Sequence, residues 1–229
     1  MTTTTGRNAE GFDLRAAVTR SLLGWGVVAG PFYLIVAVVH AALKPGFDFS
    51  QHALSLLMLT DTGWIQTANL ILTGLMIIAA AVGFARTVTP NRRAGWVGAL
   101  LGVYGLCLVG SGIFPPDPMA GFPPGSSSGD GSLSALLHLA FGAIGFLTLG
   151  IAAFIVAAWA RSRGSRTVFL LSIVSGVAIV AGFVGGAALS ASPLGVLFLW
   201  ISVVAGFAWL LGASLYAYRT VPHPDAHRR

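Results

Sequence analysis

Side chains that can move protons are concentrated in two polar segments of an otherwise apolar chain. The first segment, residues 44–63, contains Ser55, and the second, residues 115–134, contains Asp117 and leads into His138. A histidine near a carboxylic acid can perform acid–base catalysis, and a serine near a histidine can act as a nucleophile. We therefore take Asp117, His138 and Ser55 as candidate catalytic residues.

A second group of polar side chains predicts a ligand pocket beside these segments. Gln66, Asn69 and Thr73 are spaced three and four residues apart, so they share one face of a helix. This stripe either lines a polar pocket or makes hydrogen bonds between helices. The candidate ligand-binding residues are His52, Gln66, Asn69, Trp64 and His40.

Three histidines close to these segments raise the question of a zinc site. Zinc binds histidine and carboxylate ligands. However, His40, His52 and His138 lie on three separate segments, and no close pair such as HxxxH occurs. The sequence therefore requires no cofactor and assigns no metal ligands, and zinc remains a minor alternative.

The elements that must position these residues are helices that cross a membrane. Hydrophobic residues make up 55% of the chain and charged residues only 9%, whereas a soluble domain carries about a quarter charged residues. A helix needs about 20 apolar residues to cross the hydrocarbon layer, where its backbone must be hydrogen-bonded internally. The predicted spans are residues 22–43, 64–86, 95–115, 134–160, 167–190 and 196–219.

These spans predict an all-α fold, a polytopic bundle of six transmembrane helices. Residues 1–21 form a polar N-terminus and residues 220–229 a polar tail. Residues 50–59 are too few to span, so they predict a short interfacial or re-entrant helix in the first outer loop, with Asp48 or Ser50 as its N-cap.

The distribution of basic residues predicts the orientation of the bundle. All thirteen Lys and Arg residues except Lys44 lie at the termini or in the loops after the second and fourth spans. Cytoplasmic loops are enriched in Lys and Arg, so both termini are predicted to be cytoplasmic in a multi-pass protein of the plasma membrane. The net charge of +6 is explained in this way. The predicted partner is the lipid bilayer, and no nucleic acid is expected.

Glycines in the third span predict close helix packing. Gly95, Gly98, Gly102 and Gly105 are spaced three, four and three residues apart and share one helix face. Small residues allow helix backbones to approach closely in lipid. Such a face serves packing within the chain or between chains, so a homo-oligomer remains open.

Two sequence blocks resemble a known family. The first comprises residues 50–56 (SQHALSL) and residues 63–66 (GWIQ), and the second comprises residues 112–117 (GIFPPD) followed by His138. Together with six spans, they resemble the DUF998 family of bacterial and archaeal membrane proteins, over nearly the whole chain. The positions that the resemblance highlights are Ser55, Gln66, Asn69, Asp117 and His138.

The resemblance implies a six-span fold and a membrane location. It implies no reaction, because the family has no established activity. Many members carry an acidic residue after the serine that matches Ser55, whereas this chain has Leu56. No carboxylate function is therefore implied at that position.

Three functions are compatible with these residues. The first is a membrane protein whose polar pocket opens to the extracytoplasmic side and binds a lipid or small amphiphile. The second is a membrane-embedded enzyme on a lipid or isoprenoid, a hydrolase or an enzyme similar to a terpene cyclase. In it, His138 would be the base or a metal ligand, and Asp117 its partner or a general acid whose pKa is raised by burial. The third, a transporter, ranks last because no span carries a charged residue at its centre. Whether the protein is an enzyme stays open.

Overall fold

Six long helices and one short 3₁₀ helix form the protein. The computed structural model describes residues 12–87, 92–190 and 192–225, and no β-strand occurs among them. The long helices are α1 Leu14–Ala42, α2 Trp64–Arg86, α3 Arg92–Ile113, α4 Leu133–Ser162, α5 Arg166–Ala188 and α6 Pro193–Thr220, and the 3₁₀ helix is Leu54–Leu59.

All six long helices are long and apolar enough to cross a membrane. This confirms the prediction of an all-α, multi-pass membrane protein with six spans. The helix α2 has the predicted bounds, whereas α1 begins at Leu14 rather than at residue 22. The reason is a cap, because the Asp13 carboxylate accepts a hydrogen bond of 2.9 Å from the amide of Ala16.

The short helix in the first outer loop is displaced from its predicted position. It begins at Leu54 rather than at Ser50, and neither Asp48 nor Ser50 caps it. The Asp48 carboxylate instead accepts hydrogen bonds from the Ser50 amide and hydroxyl, at 2.8 and 2.7 Å. This local turn competes with helix formation. The helix also buries Leu54, Leu56 and Leu57, so it packs into the bundle rather than lying at an interface.

The helices form a ring in which each packs on the next, and α1 packs on α6 to close it. We call the end of the ring with residues 43–63 and 114–132 the loop end, and the opposite end the arginine end. In α4, every buried residue lies between Gly145 and Ala160, toward the arginine end. The loop-end half of α4 therefore leaves space inside the ring.

Glycines bring α2 and α3 into backbone contact. A Cβ atom on Gly105 would lie 2.7 Å from the carbonyl oxygen of Gly74, and one on Gly74 would lie 2.5 Å from that of Gly105. Gly98 is similarly close to Ala81, whereas a Cβ on Gly102 would lie 3.9 Å from Ala81. The predicted glycine face therefore packs through Gly98 and Gly105.

Candidate functional site

A cavity of about 550 Å³ lies between the loop-end halves of the helices. Its volume falls within the range of about 300–1,000 Å³ that is typical of small-molecule sites. The wall is mainly apolar, with contributions from all six helices. Its larger apolar side chains include Leu70, Leu108, Phe141, Phe146, Phe183 and Phe207.

A few polar side chains interrupt this apolar wall. They include all three catalytic candidates from the sequence, although the structure does not test their chemical roles. No Lys or Arg lines the cavity in the described part of the chain. The polar residues of the wall include Tyr33, Ser55, Tyr104, Ser111, Asp117 and His138.

His138 has one ring nitrogen held by the protein and one left free. Its Nδ1 lies 2.8 Å from the carbonyl oxygen of Phe114 and 3.1 Å from that of Ser111, at the end of α3. Carbonyl oxygens only accept, so Nδ1 carries the proton and donates it. In the neutral ring, Nε2 is then an acceptor. It has no hydrogen-bond partner among the described residues, so it is available to a molecule in the cavity.

Asp117 is engaged in holding the start of α4. Its carboxylate accepts hydrogen bonds from the amides of Gly131 and Ser132, at 3.1 and 2.8 Å, and from the Ser132 hydroxyl at 2.6 Å. Ser132 is itself the N-cap of α4. These bonds, above all that from the Ser132 hydroxyl, lower the pKa of Asp117. The expectation of a raised pKa is therefore wrong, and no hydrogen bond joins Asp117 to His138 among the described residues.

We expect Asp117→Asn to destabilise the protein in a pH-dependent way. The folded-state pKa is lowered, so the stabilisation by the carboxylate is fully present above the ordinary aspartate value of 3.8 and is lost as the pH falls through the lowered value. Melting temperatures of wild type and variant should differ near neutral pH and converge in strong acid. A difference that is independent of pH would contradict this assignment.

The two loops at the loop end are joined by an aromatic contact that we call the clasp, formed by Phe47, His52 and Phe122. The Phe122 ring is fully buried, with its centroid 5.3 Å from that of Phe47 and 5.0 Å from that of His52. His52 accepts a hydrogen bond from the Asp48 amide on Nδ1 and donates one from Nε2 to the carbonyl of Ala120. His52 therefore joins the loops rather than lining the cavity.

The other histidine candidate, His40, also makes a hydrogen bond at the loop end. Its Nε2 lies 2.9 Å from the hydroxyl of Thr62, and a nearby Lys44–Asp61 ion pair links the same segments. His40, His52 and His138 thus belong to separate hydrogen-bond networks. Among the described residues, no group of three or more His, Cys, Asp or Glu could hold a metal ion.

The polar stripe of α2 lies against α1, behind the cavity wall. Gln66 Nε2 donates to the Tyr33 hydroxyl at 3.3 Å, and Asn69 Nδ2 donates to the Tyr33 carbonyl at 3.0 Å. Of these residues, only Tyr33 reaches the cavity. Trp64 is 70% exposed at the start of α2 and does not line the cavity either. Gln66 and Asn69 therefore make interhelical hydrogen bonds that support Tyr33, whereas the buried Thr73 hydroxyl of the same stripe has no partner among the described residues.

Sequence reasoning missed three polar residues of the wall, namely Tyr33, Tyr104 and Ser111. The Tyr104 hydroxyl has no hydrogen-bond partner among the described residues, although Tyr104 is 2% exposed. The sequence did contain a signal for two of them. Tyrosines of membrane proteins favour the membrane–water interfaces, yet Tyr33 and Tyr104 lie well inside predicted spans. A buried tyrosine hydroxyl usually has a partner, and here the cavity offers the place for one.

Comparison with known proteins yields one match. The family described as "Protein of unknown function (DUF998)" matches residues 27–216. No curated protein and no solved structure matches the chain.

Proposed function

Because the chain belongs to the DUF998 family, whose function is unknown, we propose its function from the cavity: it binds a lipid or another small amphiphile between the loop-end halves of its helices. One observation carries this proposal. An otherwise apolar wall presents a histidine nitrogen, His138 Nε2, whose ring is fixed by two carbonyl oxygens and whose lone pair has no partner among the described residues.

This combination suits an amphiphile rather than a wholly apolar or wholly polar molecule. Ligand sites are commonly apolar, with a small number of placed polar groups that fix orientation. An apolar chain gains little by moving from lipid to protein, because both surroundings are equally apolar. Selectivity must then come from the polar groups of the wall, among them His138, Ser55 and Tyr104.

Under this proposal the loop end faces the extracytoplasmic side of the plasma membrane. The supporting observation is the sequence of the opposite end, where Arg86, Arg93 and Arg161 lie at the helix ends that border the loops assigned to the cytoplasm by the positive-inside rule. The ligand would then come from the outer leaflet, and both termini would be cytoplasmic.

An enzyme acting on a lipid or isoprenoid is the second candidate function. It is supported by the free Nε2 of His138, which is suited to accept a proton as a general base. The acid role considered for Asp117 has less support, because its carboxylate is hydrogen-bonded to Ser132 and its pKa is lowered. Ligand binding requires only polar groups that have no partner within the protein, so we prefer binding to catalysis as the function.

Filling the cavity should abolish binding. Ala135 lines the cavity, whereas Ala140 is exposed on the same helix and does not line it. We expect Ala135→Trp to weaken binding of fluorescent long-chain amphiphiles by about tenfold or more, which corresponds to about 1.4 kcal/mol. Ala140→Trp should bind like wild type. The measurement is a fluorescence titration of the protein in nanodiscs, with probes bearing alcohol, carboxylate and ammonium head groups.

Either of two results would contradict the proposal. Wild-type protein could show no saturable binding of any probe. Alternatively, both tryptophan variants could bind as tightly as wild type, which would move the ligand outside the cavity.

A further inference from the structure

The helices α4 and α5 are in close contact over the part of their interface that is nearer the arginine end. A Cβ atom on Gly150 would lie 2.4 Å from Val180 Cγ2, so the two helices are in close contact there. One turn nearer the loop end, the rings of Phe146 and Phe183 stack with centroids 5.1 Å apart. Residues spaced three and four apart share a helix face, so these contacts define one stripe on each helix.

The same two stripes continue toward the loop end. The stripe of α4 continues through Leu139 and Leu136, and that of α5 continues through Ala187 to Ser190, which lies just beyond the end of α5 at Ala188. All four residues line the cavity, yet Leu139 is 51% exposed and Leu136 is 57% exposed. Ala187 and Ser190 are exposed as well. These positions therefore border an opening that leads from the surface of the bundle into the cavity.

At the loop end α5 packs closely on α6. A Cβ atom on Gly185 would lie 2.9 Å from the ring of Phe198, and one on Gly186 would lie 2.5 Å from Leu199. Both partners belong to α6. This contact holds the loop-end part of α5 against α6.

The opening lies at the depth of one leaflet. From Phe146 to Leu136 the helix rises about 15 Å, at 1.5 Å per residue, and half of the hydrocarbon layer is also about 15 Å thick. At the loop end the clasp buries Phe122 and joins the two loops, whereas Met119, Ser128 and Gly129 of the second loop line the cavity and are exposed. The cavity therefore has exposed wall residues both at the loop end and between α4 and α5, and the second place lies between two membrane-length helices.

We propose that a lipid alcohol reaches the cavity sideways from the bilayer, between Leu136 and Leu139 on α4 and Ala187 and Ser190 at the end of α5. This inference rests on the proposed function and adds the ligand class and the route. The hydroxyl group donates a hydrogen bond to His138 Nε2, and the apolar chain lies along the phenylalanine-rich wall.

The charges of the wall select a neutral head group. No Lys or Arg lines the cavity in the described part of the chain, and the Asp117 carboxylate does. A phosphate or carboxylate would therefore enter without a counter-charge and would face a like charge, which disfavours it. A hydroxyl carries no such penalty, and it supplies the proton that a neutral histidine nitrogen accepts.

Two neighbouring alanines give a matched test of the route. Ala187 borders the opening, whereas Ala188 is exposed beside it and does not line the cavity. The probe is a fluorescent long-chain alcohol that exchanges between vesicles and the protein in nanodiscs, followed by stopped flow. We expect Ala187→Phe to slow both association and dissociation by about tenfold. Ala188→Phe should exchange like wild type.

The outcomes separate the route from the function. If wild type binds the alcohol and Ala187→Phe exchanges as fast as Ala188→Phe, the lateral route is wrong while binding stands. If wild type binds neither this probe nor any other amphiphile, the proposed function fails. A phosphate ester of the same chain should bind at least about tenfold more weakly than the alcohol, and equal binding would overturn the assigned head group.

Discussion

Gly105→Ala is expected to destabilise the bundle by about 1–3 kcal/mol, the usual cost of overpacking a close contact. The added methyl group would lie 2.7 Å from the carbonyl oxygen of Gly74 and 2.7 Å from Ile78 Cγ1. The first neighbour is backbone and cannot rotate away, so α2 and α3 must separate. The measurement is the melting temperature of the purified protein, followed by the monodisperse fraction after heating.

Gly102→Ala on the same helix is the matched control. Its methyl group would lie 3.9 Å from Ala81 Cβ, which is an ordinary contact. Alanine also favours the helical backbone over glycine by up to about 1 kcal/mol. The Gly102 variant should therefore melt at or above the wild-type temperature. Equal losses in the two variants would show that the α2–α3 backbone contact is absent.

Phe122→Ala is expected to release the clasp. Removing a fully buried phenylalanine side chain costs about 3–5 kcal/mol, and Phe122 is 0% exposed between Phe47 and His52. The two outer loops have few other contacts of this kind, so the loss should appear as local opening. Amide hydrogen exchange in residues 119–126 should accelerate by about a hundredfold or more, since each 1.4 kcal/mol is tenfold.

A control for this variant is Met119→Ala in the same turn. The Met119 side chain is 39% exposed, and its amide and carbonyl form backbone hydrogen bonds with Phe122 that alanine retains. Exchange in this variant should change little, and exchange within the six spans should be unaffected in both. If Phe122→Ala left the loop amides protected, the clasp would not be what holds the two loops together.

The six spans could be read from the sequence because hydropathy reports directly on the requirement for a long apolar helix. The start of α1 could not be read in this way, because residues 14–21 include polar side chains that find partners only in the folded bundle. Arg20 is an example. Its guanidinium lies 3.9 Å from the centroid of the Tyr218 ring and donates a hydrogen bond of 2.7 Å to the carbonyl of Val221. Such contacts depend on α6, which is distant in sequence.

The residues of the cavity were predicted in part, and their contacts were not. Ser55, Asp117 and His138 line the cavity, in agreement with their placement at the loop end. The hydrogen bonds from Ser132 to Asp117 depend on the path of the loop between them, and the helical periodicity of the sequence does not report that path. The same limit applies to the polar stripe of α2. Helical spacing placed Gln66 and Asn69 on one face, but only the packing of α1 decides that this face meets Tyr33.

The free energy of closing an opening between α4 and α5 differs between a bilayer and water. In water, exposed leucines such as Leu136 and Leu139 would favour closure by roughly 25 cal/mol for each Å² of apolar surface buried. Acyl chains are as apolar as leucine, so in the membrane that driving force is absent. An opening toward lipid between these helices would therefore persist without a moving segment, because closing it would bury no surface that the lipid disfavours.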